Sequence, residues 1–182
     1  NPNKKVADYG GLEPRFNIRF EINPKSSVKA SYTYNLQYIH LAYLSAITLP
    51  TDTWVSCSEL VKPQKGSQYS IGYFRNFKDN VYEASVEIYY KDLKNQIEYK
   101  DGALPGADVN DNADNQFTFG SGEAYGAEFF LKKRLGKFNG WVGYTLSYTN
   151  RNFPQLNDGK TYYAKYDRRH DIGLEITHVI NK

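Results

Sequence analysis

The densest group of ionisable side chains is Tyr166-Asp167-Arg168-Arg169-His170-Asp171, two Arg and a His set between two Asp. Guanidinium forks match carboxylates and phosphates, so one reading is a catalytic or anion-binding cluster. The reading we favour is structural. The charges pair with one another and with neighbouring strands, at a point where a long loop rejoins a sheet.

A second group, Asp108, Asn110, Asn112 and Asp114, has the oxygen-ligand spacing with which an EF-hand loop begins. Ala113 stands where that loop requires Gly, and Phe119 where it requires Glu, so a soluble, turn-rich loop is the better reading. His40, His170 and His178 lie far apart without metal-ligand spacing, and the lone Cys57 adds no zinc pattern and no internal disulfide. Glu83 and Glu87 share a face of a strand but stand about 13 Å apart, too far for a glycosidase pair. No nucleophile elbow or phosphate loop is present, so no catalytic, cofactor-binding or metal-binding residue is nominated.

The elements that carry these residues alternate apolar and polar positions at period two. Phe16, Ile18, Phe20 and Ile22 interleave with Asn17, Arg19 and Glu21, and Val28, Ala30, Tyr32, Tyr34 and Leu36 with Lys29, Ser31, Thr33 and Asn35. A strand repeats its facing every second residue, so each run has one apolar and one wet face. Seven strands are predicted: about Glu13 to Asn23, Val28 to His40, Ser67 to Arg75, Tyr82 to Tyr99 and Gln116 to Arg134, then runs centred on Val142 to Thr149 and Ile172 to Thr177. Gly120, Gly122 and Gly126 interrupt the fifth and mark a bulge or a close neighbour. Segment Leu41 to Gly66 is read as a long loop.

The connections are unequal. Gaps of about four residues follow Asn23, Arg75 and Arg134, and gaps of about fifteen to twenty-five follow Ile39, Tyr99 and Arg151. Up-and-down outer-membrane barrels have that asymmetry, with short periplasmic turns and long outer loops. Tyr82 to Tyr99 exceeds the roughly ten residues a tilted strand needs to cross a bilayer, so the wall is expected to project beyond it.

Composition agrees with such a wall. The 182 residues are 40% hydrophobic and 16% aromatic, with 17 Tyr against 2 Trp. Mean hydropathy is −0.68, and no apolar run is long enough for a membrane-spanning helix. A barrel strand escapes that test, because only alternate residues meet lipid. Net charge is +3, with basic residues spread along the chain, which does not indicate nucleic acid. Arg19, Glu21, Glu83, Glu87, Lys91, Glu128 and Glu175 would line the inside if the apolar faces meet lipid, though each also reads as part of a solvated face. None is nominated as a ligand contact, and the ligand-binding residues stay unknown.

Several segments carry a family likeness in order along the chain. They are Leu12-Glu13-Pro14-Arg15, Lys62-Pro63 with Gln68-Tyr69-Ser70-Ile71-Gly72-Tyr73, and Tyr90-Lys91-Asp92-Leu93-Lys94-Asn95-Gln96-Ile97. Tyr125-Gly126-Ala127-Glu128, Gly140-Trp141-Val142-Gly143-Tyr144-Thr145-Leu146-Ser147-Tyr148 and Tyr166 to Asp171 follow. Together the chain resembles the barrel of a TonB-dependent outer-membrane receptor of the Bacteroidetes type. The resemblance implies a 22-stranded wall plugged by an N-terminal domain, of which seven strands would be about a third. It further implies uptake of scarce ligands such as iron chelates, cobalamin or glycans, driven by the TonB complex through an N-terminal part. Outer-membrane lipid is an implied partner, with lipopolysaccharide phosphates a possible one for Arg168 and Arg169.

The expectation is thus all-β: an antiparallel up-and-down meander of about seven strands within a transmembrane β-barrel. Residues 1–182 form one partial barrel domain, lacking plug and signal peptide, cut from a longer precursor. An odd strand count, no initial Met and no terminal aromatic strand motivate that expectation. The rival is a soluble β-sandwich binding or adhesion module; an enzyme barrel is remote. A sandwich would bury Phe16, Ile18, Tyr82, Val86, Val142 and Leu146 against a second sheet, whereas a barrel wall leaves them bare.

Overall fold

The computed structural model describes residues 7–42, 53–103 and 113–180. Seven long strands form one antiparallel meander: β1 (Arg15–Asn23), β2 (Ser26–Gln37), β5 (Gln64–Phe77), β6 (Tyr82–Tyr99), β7 (Phe117–Lys133), β8 (Phe138–Asn152) and β10 (His170–His178). Each pairs with the next in that order, and β1 and β10 form the two edges. The wall is therefore open. Three short strands were not expected. β3 (Ile39–Ala42) pairs with β4 (Thr53–Ser56) as a separate hairpin, and β9 (Tyr162–Tyr163) pairs with the end of β8. β4 and β9 fall inside segments read as loops, and β3 takes its first two residues from the end of the predicted second strand, which in the structure stops at Gln37.

The short turns have local causes. Asn23 Oδ1 accepts the Lys25 amide at 2.9 Å, so the side chain closes the β1–β2 turn. Between β5 and β6, Lys78, Asp79 and Asn80 all take positive φ, a conformation that Asn and Asp tolerate better than most residues.

Chaining the registers across the sheet shows where the apolar side chains go. One row runs Phe20, Val28, Tyr73, Val86, Phe129, Tyr144 and Ile172; the next runs Ile18, Ala30, Ile71, Ile88, Ala127 and Leu146. A third row is aromatic throughout: Phe16, Tyr32, Tyr69, Tyr90, Tyr125 and Tyr148. Among the described residues no second layer covers these rows: Phe16 is 62% exposed, Ile18 70% and Val86 42%, while Tyr82 and Leu146 are half-buried by neighbours in the same sheet. No second sheet packs against it among the described residues, which is the barrel outcome rather than the sandwich one.

The packed core lies elsewhere, at the end of the long loops. Ala42, Val61, Ile97, Tyr99 and Phe117 pack together there, with Val55 and Ala103 against them. A bulge at Asn95 makes this possible. Up to Lys94 the even-numbered residues of β6 share the face of Tyr90; the register then shifts, and Ile97 and Tyr99 pair with Phe119 and Phe117. Asn95 takes φ 55° and donates its side-chain amide to the Pro63 carbonyl at 2.9 Å. The bulge thus sits on β6. Gly120, Gly122 and Gly126 on β7 are instead places of close approach.

Candidate functional site: the inner face and the two rims

The same registers place Arg19, Glu21, Glu83, Glu87, Lys91, Glu128 and Glu175 on one face, opposite the apolar rows. Several are paired locally. Arg19 meets Glu21 at 3.1 Å, Arg134 Nε donates to Glu83 at 3.2 Å, and Trp141 Nε1 donates to Glu175 at 2.9 Å. Glu87 and Glu128 are direct cross-strand neighbours, an arrangement of like charges that is unfavourable unless a cationic group approaches. Lys29 Nζ lies 4.2 Å from the centre of the Phe74 ring.

Large side chains on this face lie across glycines of the same or the adjacent strand. Trp141 covers Gly143 and Gly173; a Cβ added at Gly173 would stand 2.8 Å from the indole. Tyr89 covers Gly126 in the same way, Arg151 covers Gly122, and Phe153 covers Gly120. On the inside of a curved wall side chains converge, and a neighbour without Cβ makes room for each ring.

At the long-loop end, Tyr162 Oη donates to Glu98 at 2.8 Å beside the half-buried Arg151. Burial, followed by this hydrogen bond to a carboxylate, pushes the Tyr162 phenol well above its ordinary range. Burial lowers the Arg151 guanidinium, and Glu98 partly restores it.

The Tyr166 to Asp171 cluster is held as the structural reading expects. Arg169 Nη2 meets Asp167 Oδ2 at 2.8 Å, and its guanidinium stacks on Tyr148 at 3.8 Å and on Tyr163 at 4.7 Å. Asp167 also accepts the Thr149 amide at 2.8 Å. The Arg169 hydrogen bond holds the Asp167 carboxyl below its usual range. Arg168 reaches Asp171 at 3.8 Å, and its carbonyl accepts Ser147 Oγ.

The histidines are separated, as their spacing implies. His40 is fully buried beside the packed core with Nε2 3.3 Å from Cys57 Sγ, and burial lowers its pKa while raising that of the thiol. His170 Nδ1 lies 2.8 Å from Tyr144 Oη, and the His178 ring stacks on Phe138 at 4.2 Å. Most of the Asp108 to Asp114 segment lies outside the described residues; Asp114 accepts a hydrogen bond from Ser58 Oγ.

The aromatic row and the β3–β4 hairpin, like the Asn95 bulge, were not found from the sequence. The aromatic row emerges only when strands are placed in register. The β3–β4 hairpin had a faint signal in the strand-forming Thr53-Trp54-Val55 run. The two rims measure the wall: from Tyr82, stacked on Phe77 at 5.4 Å, to Tyr90 in the aromatic row, β6 spans nine residues. That is the length with which a tilted strand crosses the hydrocarbon layer. Rings with one polar edge gather at both boundaries of such a layer.

Comparison with known proteins agrees with this geometry. The ferripyoverdine receptor of the outer membrane of Pseudomonas aeruginosa, solved with ferripyoverdine, superposes with TM-score 0.65 at 19% identity, over 96% of this chain and 21% of that one. A chain of the FpvAI–pyocin S2 complex gives 0.64 at 17% identity, over 96% and 22%. The FrpB iron transporter from Neisseria meningitidis (F3-3 variant) gives 0.60 at 14% identity, over 92% and 24%. This chain thus spans less than a quarter of each of those proteins, and the likeness is one of fold. No curated protein sequence matches it. Residues 1–177 match the family described as TonB dependent receptor-like, beta-barrel, and the chain belongs to that family.

Proposed function

We propose that the chain is part of the wall of an outer-membrane receptor that carries a scarce ligand into the periplasm without covalent chemistry. Residues 1–182 form a partial barrel domain, and the plug and signal peptide belong to other parts of a longer precursor. The observation that supports this is the two-faced sheet: a bare apolar face about one hydrocarbon layer tall between aromatic rims, backed by a polar inner face. The long connections and the packed core of β3, β4, β6 and β7 stand on the outer side, where ligand is captured. The polar inner face is the side that plug and cargo meet, and the TonB complex engages an N-terminal part.

Among iron chelates, cobalamin and glycans, iron chelates are the first class to test, since ferripyoverdine is bound by one structural neighbour. The gene encoding the receptor is deleted, and growth is measured with a panel of ferric siderophores as the sole iron source. Loss of growth on one of them, restored by the gene, is the expected result. Wild-type growth on every siderophore, with loss on cobalamin or a glycan, would reassign the cargo. Unchanged growth on all three classes would sink the uptake reading.

A further inference from the structure

At the short-turn end of the apolar face, three cations stand outward around paired rings. The registers place Arg75 and Lys133 on the lipid side, and Lys78 Nζ lies 5.5 Å over the Tyr82 ring. Lys133 is the direct cross-strand neighbour of Tyr82, which stacks on Phe77. Among the described residues none of the three is within ion-pair distance of a carboxylate. The nearby acids are engaged elsewhere, Asp79 with Lys25 at 3.4 Å and Glu83 with Arg134. Next to the cations lies an open apolar groove of about 230 Å³, walled by Leu131, Phe138, Val142, Leu174 and Ile176. It exists because Gly140, between Lys133 and Ile176 in the register, contributes no side chain, and none can be added: Gly140 takes φ 150° and a Cβ would strike the Glu175 carbonyl.

We propose that this rim is a binding site for an anionic glycerophospholipid of the periplasmic leaflet, its phosphate among Arg75, Lys78 and Lys133 and one acyl chain in the groove at Gly140. The occupant follows from charge and position. The groove is continuous with the lipid-facing rows, so an acyl chain reaches it without leaving the bilayer. Lys133 at the edge of the groove, with Lys78 over Tyr82 and Arg75 beyond it, complements a phosphate that carries net negative charge. The opposite rim mixes its charges: above the aromatic row Lys65 and Lys94 share the outward face with Asp92 and Glu123, and Lys94 is paired with Asp92 at 3.3 Å.

The site rests on the bilayer reading above, with the short turns in the periplasm. The test separates the two. Full-length receptor is first shown to fractionate with the outer membrane and to be folded, and failure there removes the bilayer reading itself. Folded receptor is then titrated in nanodiscs of phosphatidylcholine carrying either phosphatidylglycerol or purified lipopolysaccharide, and retained lipid is counted by native mass spectrometry. The expected result is preferential retention of phosphatidylglycerol, weakened about fivefold by each of Arg75→Gln, Lys78→Gln and Lys133→Gln at low salt. A control substitution at the far rim, Lys94→Gln, leaves it unchanged. No preference in the wild type overturns the site. So does a preference that survives the triple variant, or one for lipopolysaccharide instead.

Discussion

The two halves of β6 obey opposite rules although they are one strand. From Tyr82 to Tyr90 the outward residues are apolar or aromatic, with Ile88 54% exposed and no second layer of the described residues over them, the face that the proposed wall turns to lipid. Beyond the bulge Gln96, Ile97 and Tyr99 are buried in protein: Ile97 is 6% exposed and Tyr99 stacks on Phe117 at 4.9 Å. The lower half therefore tolerates changes of size but not of charge on its outer face. The upper half behaves like the core of a soluble domain. Asn95, the extra residue between them, switches one regime to the other.

Inserting one alanine between Asn95 and Gln96 is the sharpest way to break that division. The added residue takes the place opposite Gly120 and shifts everything beyond it by one, turning Gln96 and Glu98 toward Val61 and Ala42 and moving Ile97 and Tyr99 to the inner face. Burial of a carboxylate in an apolar cluster, together with loss of that cluster, is expected to cost more than about 4 kcal/mol. Urea unfolding of the receptor in lipid vesicles, with proteolysis as a reporter of the outer region, checks it. The division fails if the outer region stays protected. A milder variant, Asn95→Ala, keeps the residue count but removes the Pro63 hydrogen bond and strains the positive φ, and should cost about 1–3 kcal/mol.

The next effect belongs to the lower half. Val86→Arg places a charge near the middle of the lipid-facing face and should cost about 2–4 kcal/mol, whereas Val86→Leu should be close to neutral. The same urea titration reads both. Equal effects of the two substitutions would show that Val86 does not face hydrocarbon.

This division explains what was legible in the sequence. Alternation gives facing, so the seven polar residues from Arg19 to Glu175 were correctly grouped, as were Tyr82, Ala84, Val86, Ile88 and Tyr90. The β6 range from Tyr82 to Tyr99 and the seven-strand meander were legible too, because half-buried strands at a lipid boundary keep strict period two. Facing is not register, however. The row from Phe16 to Tyr148 depends on how far each strand slides along its neighbour, which no single strand encodes. The bulge was illegible because one Asn inside a strand does not announce positive φ. Its β7 partners Gly120 and Gly122 drew notice instead, their real role being to lie beneath Phe153 and Arg151. The β3–β4 hairpin escaped because its strands are four residues each, too short to establish a period.

Acid tests the outer connection against the wall. The folded Asp167 pKa is lowered, chiefly by Arg169, so its contribution is fully present above the ordinary value of 3.8 and is lost as pH falls through the folded value below it. Arg169 moves the other way, upward from a value already above neutrality, and adds no acid dependence. The stability difference between wild type and Asp167→Asn should therefore be largest near neutral pH, smaller than that of Val86→Arg, and should vanish once pH falls below the lowered folded value. A difference independent of pH would mean that Asp167 acts through hydrogen-bond geometry rather than charge.

The smallest effect is expected just below the bulge, where neither rule applies. Lys94 and Asp92 lie outward above the aromatic row, clear of the hydrocarbon and not yet under the hairpin. Their side chains are 65% and 37% exposed, and the pair at 3.3 Å is an ordinary surface ion pair in high dielectric. Lys94→Ala should change unfolding by less than about 0.5 kcal/mol, and 0.5 M salt should erase even that. An effect above 1 kcal/mol, persisting in salt, would place Lys94 under a protein or lipid surface and move the border between the two regimes upward along the strand.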